Sequence, residues 1–167
     1  MAKHFRHQAT KSQWKSVVLI NYGVAREFSD EPSITMLKPT SSPEAGYLEG
    51  DFWVIRIFAC CPNCAPAGRT LVQVMIESEW QPWKEIREDK DAYNAEKEMT
   101  AKQVLERLND VWPVIKDQVE MTNVATPYTW WRFTRNRQGA FEGFAITDKI
   151  FTKSVKRPLP GLDNFFM

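Results

Sequence analysis

Histidine and the short motifs of common enzymes are scarce in this 167-residue sequence. The only two histidines are His4 and His7, so a histidine general base is not expected. The dinucleotide motif GxGxxG, the phosphate-binding GxxxxGK[ST], the zinc motif HExxH and the nucleophile motif GxSxG do not occur. Several carboxylates are present, but no pair has a local context that favours acid–base catalysis. The motifs alone predict no catalytic machinery.

The sequence also lacks an excess of charge and a long apolar run. Twenty-two basic residues offset 21 acidic ones, which leaves a formal net charge of +1. This balance argues against a nucleic-acid-binding protein, which usually shows a basic excess or stripe. No apolar stretch approaches the roughly 20 residues that span a bilayer, and the N-terminus has no apolar core of a signal peptide. We therefore predict a cytoplasmic protein without a transmembrane segment.

The length and composition predict one domain with a basic arm. A hydrophobic fraction of 43% and a charged fraction of 26% are ordinary for a globular domain. Residues 1–14 carry basic residues and no acid, which fits either an arm attracted to phosphate or lipid, or a solvated, frayed terminus. The terminus is the preferred interpretation. Residues 15–167 are expected to form a single α+β domain.

Three cysteines cluster at Cys60, Cys61 and Cys64. The spacing of Cys61 and Cys64 is that of a redox or metal-binding CxxC motif. A zinc site would need further ligands, however, and a thioredoxin-like pair would open a helix. Here the pair falls between two predicted strands, so three thiols in a hairpin turn is the preferred interpretation.

Hydrophobic periodicity predicts an antiparallel sheet and one long helix. Apolar, β-branched runs predict strands at residues 15–24, 33–39, 51–59, 69–78 and 119–126. The strands at 51–59 and 69–78 flank a Pro/Gly-rich turn, which predicts an antiparallel hairpin. From about Asp91 the pattern is helical and ends near Pro113, with a packing face made of Ala101, Val104, Leu105, Leu108, Val111 and Trp112. The fold class is therefore α+β: a mostly antiparallel sheet of four to five strands against one long helix and shorter helices.

Aromatic residues are unusually dense after the last of these strands. Residues 128–144 combine six aromatics with three arginines and two glycines. Taken as extended, this segment places Trp130 and Arg132 on one face and Trp131 and Phe133 on the other, and residues 134–144 are expected to form a loop. It suits either an aromatic wall beside an apolar ligand or an edge strand packed on the core. Base stacking on single-stranded nucleic acid is a weaker alternative because the net charge is balanced.

The same segment resembles the C-terminal region of the phytoene desaturase, carotenoid isomerase and retinol saturase group of FAD-dependent oxidoreductases. The similarity rests on the order of a helix at residues 92–108, a Thr-Pro motif at 125–127, an aromatic segment (WRFT) at 131–134, a glycine-bearing segment at 139–144 and LPGLDNFFM at 159–167. Residues 21–32 and 64–78 also look like strands and turns of that group. The resemblance covers about residues 17–167.

The resemblance implies a substrate-binding domain for apolar polyene or isoprenoid substrates, with FAD as the cofactor of the parent family. The GxGxxG motif of the family is missing, and the sequence stops before the family's second glycine-rich stretch, so no cofactor is expected in this chain and no catalysis by the chain alone. The residues that would line the substrate path are Tyr128, Trp130, Trp131, Arg132, Phe133 and Phe144.

Two kinds of partner remain open. A separate flavin-binding chain would complete an oxidoreductase. Alternatively, the chain is a non-enzymatic binding or assembly module that docks on another protein or forms a homo-oligomer, since residues 165–167 would expose an apolar edge.

Overall fold

One six-stranded sheet and three α-helices make up the part of the chain that the computed structural model describes, residues 14–40, 44–61 and 63–144. The strands are β1 (Trp14–Val24), β2 (Ile34–Leu37), β3 (Trp53–Ile57), β4 (Thr70–Glu77), β5 (Val119–Ala125) and β6 (Ala140–Phe144). The helices are α1 (Trp80–Ile86), α2 (Lys90–Val111) and α3 (Pro127–Thr134), and 3-10 turns occupy Ile115–Gln118 and Arg137–Gly139. The predicted α+β class is confirmed.

The sheet is antiparallel throughout and is centred on its longest strand. The strand order is β2-β3-β4-β1-β5, and β6 pairs with the N-terminal end of β1. The predicted hairpin of β3 and β4 is present, with Val54 opposite Met75 and Ile57 opposite Val72. Strand β1 pairs with β4 on one side and with β5 on the other. It therefore connects the β3–β4 hairpin to β5.

Alternation along the central strands creates the core. In β4 the odd-numbered side chains are half-buried, while Val72, Val74 and Ile76 are buried, as the period of two requires for a strand with one covered face. The even-numbered residues of β1, such as Ile20 and Tyr22, are buried on the same side. Together they pack against α1 and α2.

The long helix begins and ends close to where the sequence predicts. The Asp89 side chain accepts hydrogen bonds from the amides of Asp91 and Ala92 at 2.9 and 3.0 Å, which satisfies two amides that have no partner within the helix. The predicted packing face is largely confirmed, because Ala101, Val104, Leu108 and Trp112 are buried and Leu105 packs against the core. Val111 is the exception: it is 42% exposed.

The aromatic segment is helical, so its predicted extended conformation is wrong. Thr126 caps α3 through a reciprocal pair of hydrogen bonds with Thr129, and Pro127 occupies the first helical position. These local signals favour a helix over the strand-like composition of the aromatic residues. Consequently the predicted pairing of Trp130 with Arg132 on one face, and of Trp131 with Phe133 on the other, does not hold.

The segment predicted as a loop after α3 contains a strand. A 3-10 turn at Arg137–Gly139 leads into β6, whose first residue, Ala140, is buried and lies opposite Ser16. The glycine-bearing segment has a low strand propensity of its own, and pairing with β1 makes it a strand. The basic arm up to residue 13 and the apolar terminus at residues 159–167 lie outside the described residues. Within the described ranges, none of the helices is long and apolar enough to cross a membrane.

Candidate functional site: the open face of the sheet and the aromatic helix

The face of the sheet opposite the helical layer carries a continuous apolar row. The register places one residue from each of five neighbouring strands side by side along this row, which consists of Met36, Val54, Met75, Leu19 and Ala125. None of them belongs to the buried core; all are half-buried except Met36, which is 66% exposed. Because neighbouring strands lie about 4.8 Å apart, the row is roughly 19 Å long. We call it the apolar row.

A second row of polar character runs beside the apolar row. It consists of Arg56, Gln73, Asn21 and Asn123 on four neighbouring strands, and the apolar Ile34 stands at its β2 end. The Gln73 side-chain amide donates to the Asn21 carboxamide oxygen at 2.9 Å, so neighbouring members of the row bind each other. The open face therefore offers an apolar strip with hydrogen-bonding groups along one side.

The polar row separates the apolar row from a further apolar patch. This patch contains Leu71, Gly23 and Met121 on three adjacent strands. A Cβ atom added to Gly23 would lie 3.4 Å from the Met121 Cβ, which places the two residues on the same face. Half-buried and exposed apolar groups that line up across one face suit a contact surface for a ligand or a partner.

Two of the predicted site residues, Tyr128 and Trp131, stack against the short helix α1. The Tyr128 and Trp131 rings lie 5.4 Å apart, and the Trp80 ring lies 6.4 Å from that of Tyr128 and 6.2 Å from that of Trp131. Two arginines extend this stack, because the Arg87 guanidinium lies 4.6 Å from the Tyr128 ring centre and that of Arg135 lies 4.4 Å from the Trp131 ring centre. The cluster joins α1 to α3.

Trp130 points to the other side of α3 and fastens the helix to the sheet. Its indole N–H donates to the Val17 carbonyl oxygen at 3.1 Å, and its ring meets the edge of Phe141 at 4.9 Å between centroids. Among the described contacts, Trp130 therefore has a packing role.

The exposed side of α3 carries the remaining predicted residues of that helix. Phe133 is 76% exposed, and the Arg132 guanidinium lies 5.5 Å from its ring centre. Phe144 closes β6 opposite Trp14. The structure thus places Tyr128 with Trp131 and Arg132 with Phe133, whereas Trp130 lies apart from both pairs.

A shallow cavity of about 220 Å³ lies between α2 and β5, away from these aromatic residues. Five of its seven lining residues have polar or charged side chains and none is aromatic; they are Asn94, Lys97, Glu98, Ala101, Thr122, Asn123 and Val124. Apolar ligands favour pockets lined mainly by hydrophobic and aromatic side chains, so this cavity does not serve as the predicted aromatic-walled site.

The described part of the chain does not form a dinucleotide site of the Rossmann type. Such a site needs a glycine-rich turn from a strand into a helix, in a parallel βαβ unit. Here every described strand pair is antiparallel, and the two described junctions from strand to helix, at residues 78–79 and at Thr126, contain no glycine. Residues 14–40, 44–61 and 63–144 therefore lack the glycine-rich turn by which the Rossmann fold holds a pyrophosphate.

The open face was missed from the sequence, although a signal for it existed. A sheet with one solvated face usually alternates apolar and polar side chains, yet Leu19, Val54 and Met75 stand at outward positions of their strands. Only the register aligns them, and the register between strands far apart in sequence is not readable from one sequence.

No model of a protein family matches this chain, and a search of curated proteins likewise found no match.

Proposed function

We propose that this chain is a substrate-binding domain of a phytoene-desaturase-like, FAD-dependent oxidoreductase that acts on apolar polyene or isoprenoid substrates. The observation that carries the proposal is the apolar row on the open face of an antiparallel sheet. The order of motifs from residues 17 to 167, which resembles that group, supports the same assignment.

In this proposal the apolar row contacts the hydrocarbon chain of the substrate. Strands supply flat, closely spaced apolar side chains, and transfer of an extended hydrocarbon from water onto them is favourable by about 25 cal/mol per Å² of apolar surface. Arg56, in the polar row beside it, suits an oxygenated end group or the polar edge of a second domain, whereas the Gln73 amide is already hydrogen-bonded to Asn21.

The aromatic helix adjoins one end of the apolar row. Ala125, the last member of the row, is followed directly by Thr126 and the start of α3. Arg132 and Phe133 are the predicted site residues with the most exposed side chains, and we assign them to the rim of the surface. Tyr128, Trp130 and Trp131 act by holding α3 in place.

The redox chemistry belongs to a flavin held outside the described residues. FAD would take the hydride when bound by another segment or a separate chain, and this domain would position the substrate. The chain alone is therefore expected to bind a polyene without converting it.

A binding experiment with one matched pair of variants tests the proposal. An all-trans polyene alcohol, presented from detergent micelles, is titrated with the purified protein while the circular dichroism induced in the polyene absorption band is recorded. Met75→Glu introduces a carboxylate into the middle of the apolar row, and we expect at least a tenfold loss of affinity, or about 1.4 kcal/mol.

Gln73→Glu is the matched control, because it adds the same carboxylate two residues away in the polar row of the same strand. It should bind the polyene as the parent chain does. Thermal unfolding of both variants confirms that they fold. Equal binding by Met75→Glu, or no induced signal with the parent chain, would refute the assignment of the open face.

A second candidate function is supported by the exposed apolar side chains at the β2 edge. Ile34, Met36 and Phe52 are each more than half exposed, and an unpaired edge strand with such side chains favours assembly with another chain. Sedimentation at increasing concentration distinguishes this role: a dimer that Met36→Glu dissociates and Gln73→Glu preserves would favour the assembly module, and a monomer at all concentrations would exclude self-association.

A further inference from the structure

The turn between β3 and β4 brings two thiols into direct contact. The Cys61 amide donates to the Phe58 carbonyl oxygen at 3.2 Å, and the Cys64 amide donates to the Cys61 carbonyl oxygen at 3.0 Å. The second bond joins the two cysteines at the ends of the CxxC segment. As a result, the Sγ atoms of Cys61 and Cys64 lie 2.6 Å apart.

The third cysteine does not join this pair. The Cys60 Sγ lies 3.7 Å from the Ser33 Oγ on the preceding segment of the chain. Within the described ranges, no three His, Cys, Asp or Glu side chains are grouped as metal ligands. The geometry therefore distinguishes a contacting pair from a separate thiol, which the sequence alone does not.

The pair is open to reagents in solution. Cys64 is exposed, Cys61 is half-buried, and the turn stands at the end of a hairpin outside the core. Exchange with a dissolved disulfide requires this access, because the attacking sulfur must approach along the S–S axis of the reagent. A buried structural thiol would lack it.

We propose that Cys61 and Cys64 form a reversible dithiol–disulfide site that exchanges with small-molecule disulfides. This site goes beyond the proposed substrate-binding function and does not depend on it. It is a modification site at the hairpin turn, distant in sequence from the aromatic helix.

The direction of the hydrogen bond indicates the order of the two steps. The Cys64 thiol donates to the Cys61 sulfur, and this bond is the main cause that raises the pKa of Cys64 above its ordinary value. A thiol that holds its proton suits the second transfer, so we assign the first attack to Cys61.

The exchange balances in two transfers. The Cys61 thiolate attacks one sulfur of the reagent RSSR, forms a mixed disulfide and releases RS⁻, which takes up the proton lost by Cys61. Cys64 then loses its proton and attacks the Cys61 sulfur of the mixed disulfide, which expels the second RS⁻. The protein is oxidised by two electrons, and RSSR is reduced to two RSH.

The experiment equilibrates the full chain with mixtures of reduced and oxidised glutathione and then traps free thiols by alkylation. Peptide mass mapping identifies which cysteines escaped the first alkylation and which carry glutathione. In the fully oxidised protein we expect a single disulfide between Cys61 and Cys64, with Cys60 alkylated, and full recovery of three alkylated cysteines after reduction.

Cys60→Ser, Cys61→Ser and Cys64→Ser form the matched series. Cys60→Ser should oxidise as the parent chain does. Cys64→Ser should stop at the mixed disulfide on Cys61, since the resolving thiol is missing, and Cys61→Ser should react more slowly than Cys64→Ser. A disulfide that involves Cys60, an intermolecular disulfide, or three thiols that stay reduced in excess glutathione disulfide would each overturn the proposal.

Discussion

The Tyr22 hydroxyl joins the central strand to the long helix inside the core. The side chain is fully buried, and its O–H donates to the Ala101 carbonyl oxygen at 2.7 Å. Burial raises the pKa of Tyr22 above its ordinary value of 10.0, because the phenolate would lose its hydration. The neutral phenol is therefore the form that the fold requires.

Tyr22→Phe should lower the free energy of unfolding by about 1 kcal/mol at neutral pH, through loss of this hydrogen bond. At high pH the free energy of unfolding of the variant should rise relative to that of the parent chain. The folded Tyr22 keeps its proton above pH 10.0 while the unfolded chain loses it, so the parent's stability falls by roughly 1.4 kcal/mol per pH unit from this residue alone.

Urea unfolding of both proteins below and above pH 10.0 measures this effect. The difference between parent and variant should shrink as the pH rises, because phenylalanine has no proton to lose. The other tyrosines are the same in both proteins, so their contributions cancel in the comparison. A difference that is independent of pH would contradict the assignment of a neutral, buried Tyr22.

Helix α3 is held between its cap and the turn that follows it. The buried Thr126 binds the Tyr93 hydroxyl at 2.7 Å, in addition to its capping bonds with Thr129. At the other end the 3-10 turn folds back on the helix start, where a Cβ atom added to Gly139 would lie 2.1 Å from the Pro127 carbonyl oxygen. Gly139 also has a φ of +63°. Backbone-to-backbone packing at this point therefore requires glycine.

Gly139→Ala should destabilise the protein by roughly 3 kcal/mol, because a methyl group there forces the backbone apart. Gly68→Ala is the control: its φ is +75°, but nothing lies within 4 Å of an added Cβ. The control should cost only the conformational strain of about 1 kcal/mol. Thermal or urea unfolding measures both, and equal losses would argue against the close contact with Pro127.

The elements differ in how far the sequence predicts them. Strands β1 and β4 and helix α2 have long, regular patterns, and they occur where the patterns place them. Helix α3 was misjudged because Trp130, Trp131 and Phe133 favour strands in general, while the capping signal of Thr126 and Pro127 is confined to two residues. Strand β6 depends on pairing with β1, more than 120 residues earlier in the chain, and no local pattern of Ala140–Phe144 reveals that partner.

At the scale of the whole molecule, the sheet has a protected centre and exposed margins. Residues 20–24 of β1 pair on both sides, with β4 and with β5, whereas β3 is the one partner of β2 among the described strands. Hydrogen exchange is slowest where opening requires the core to unfold. We predict the slowest amide exchange in β1 and β4 and fast exchange in residues 34–37 of β2, measured by mass spectrometry of peptic fragments. Equal protection of β2 and β1 at all protein concentrations would contradict this prediction. Protection of β2 that increases with protein concentration would instead indicate that β2 pairs with another copy of the chain.

The candidate site could not be predicted from the sequence in the same way as the core. The sequence correctly located the aromatic residues and the cysteine turn, but it placed the apolar surface on the aromatic segment. Burial within one strand follows from its own alternation, whereas a surface built across strands depends on how distant segments align. Val54, Met75 and Leu19 become neighbours only through that alignment.

The apolar row takes one residue from each of five strands, so it does not exist in the unfolded chain. Any molecule that binds there must bind the folded form alone, and its affinity then becomes part of the stability of the fold. A ligand at one hundred times its Kd would raise the free energy of unfolding by about 2.7 kcal/mol. The midpoint of thermal unfolding is therefore an assay for occupants of the open face, even when they undergo no reaction.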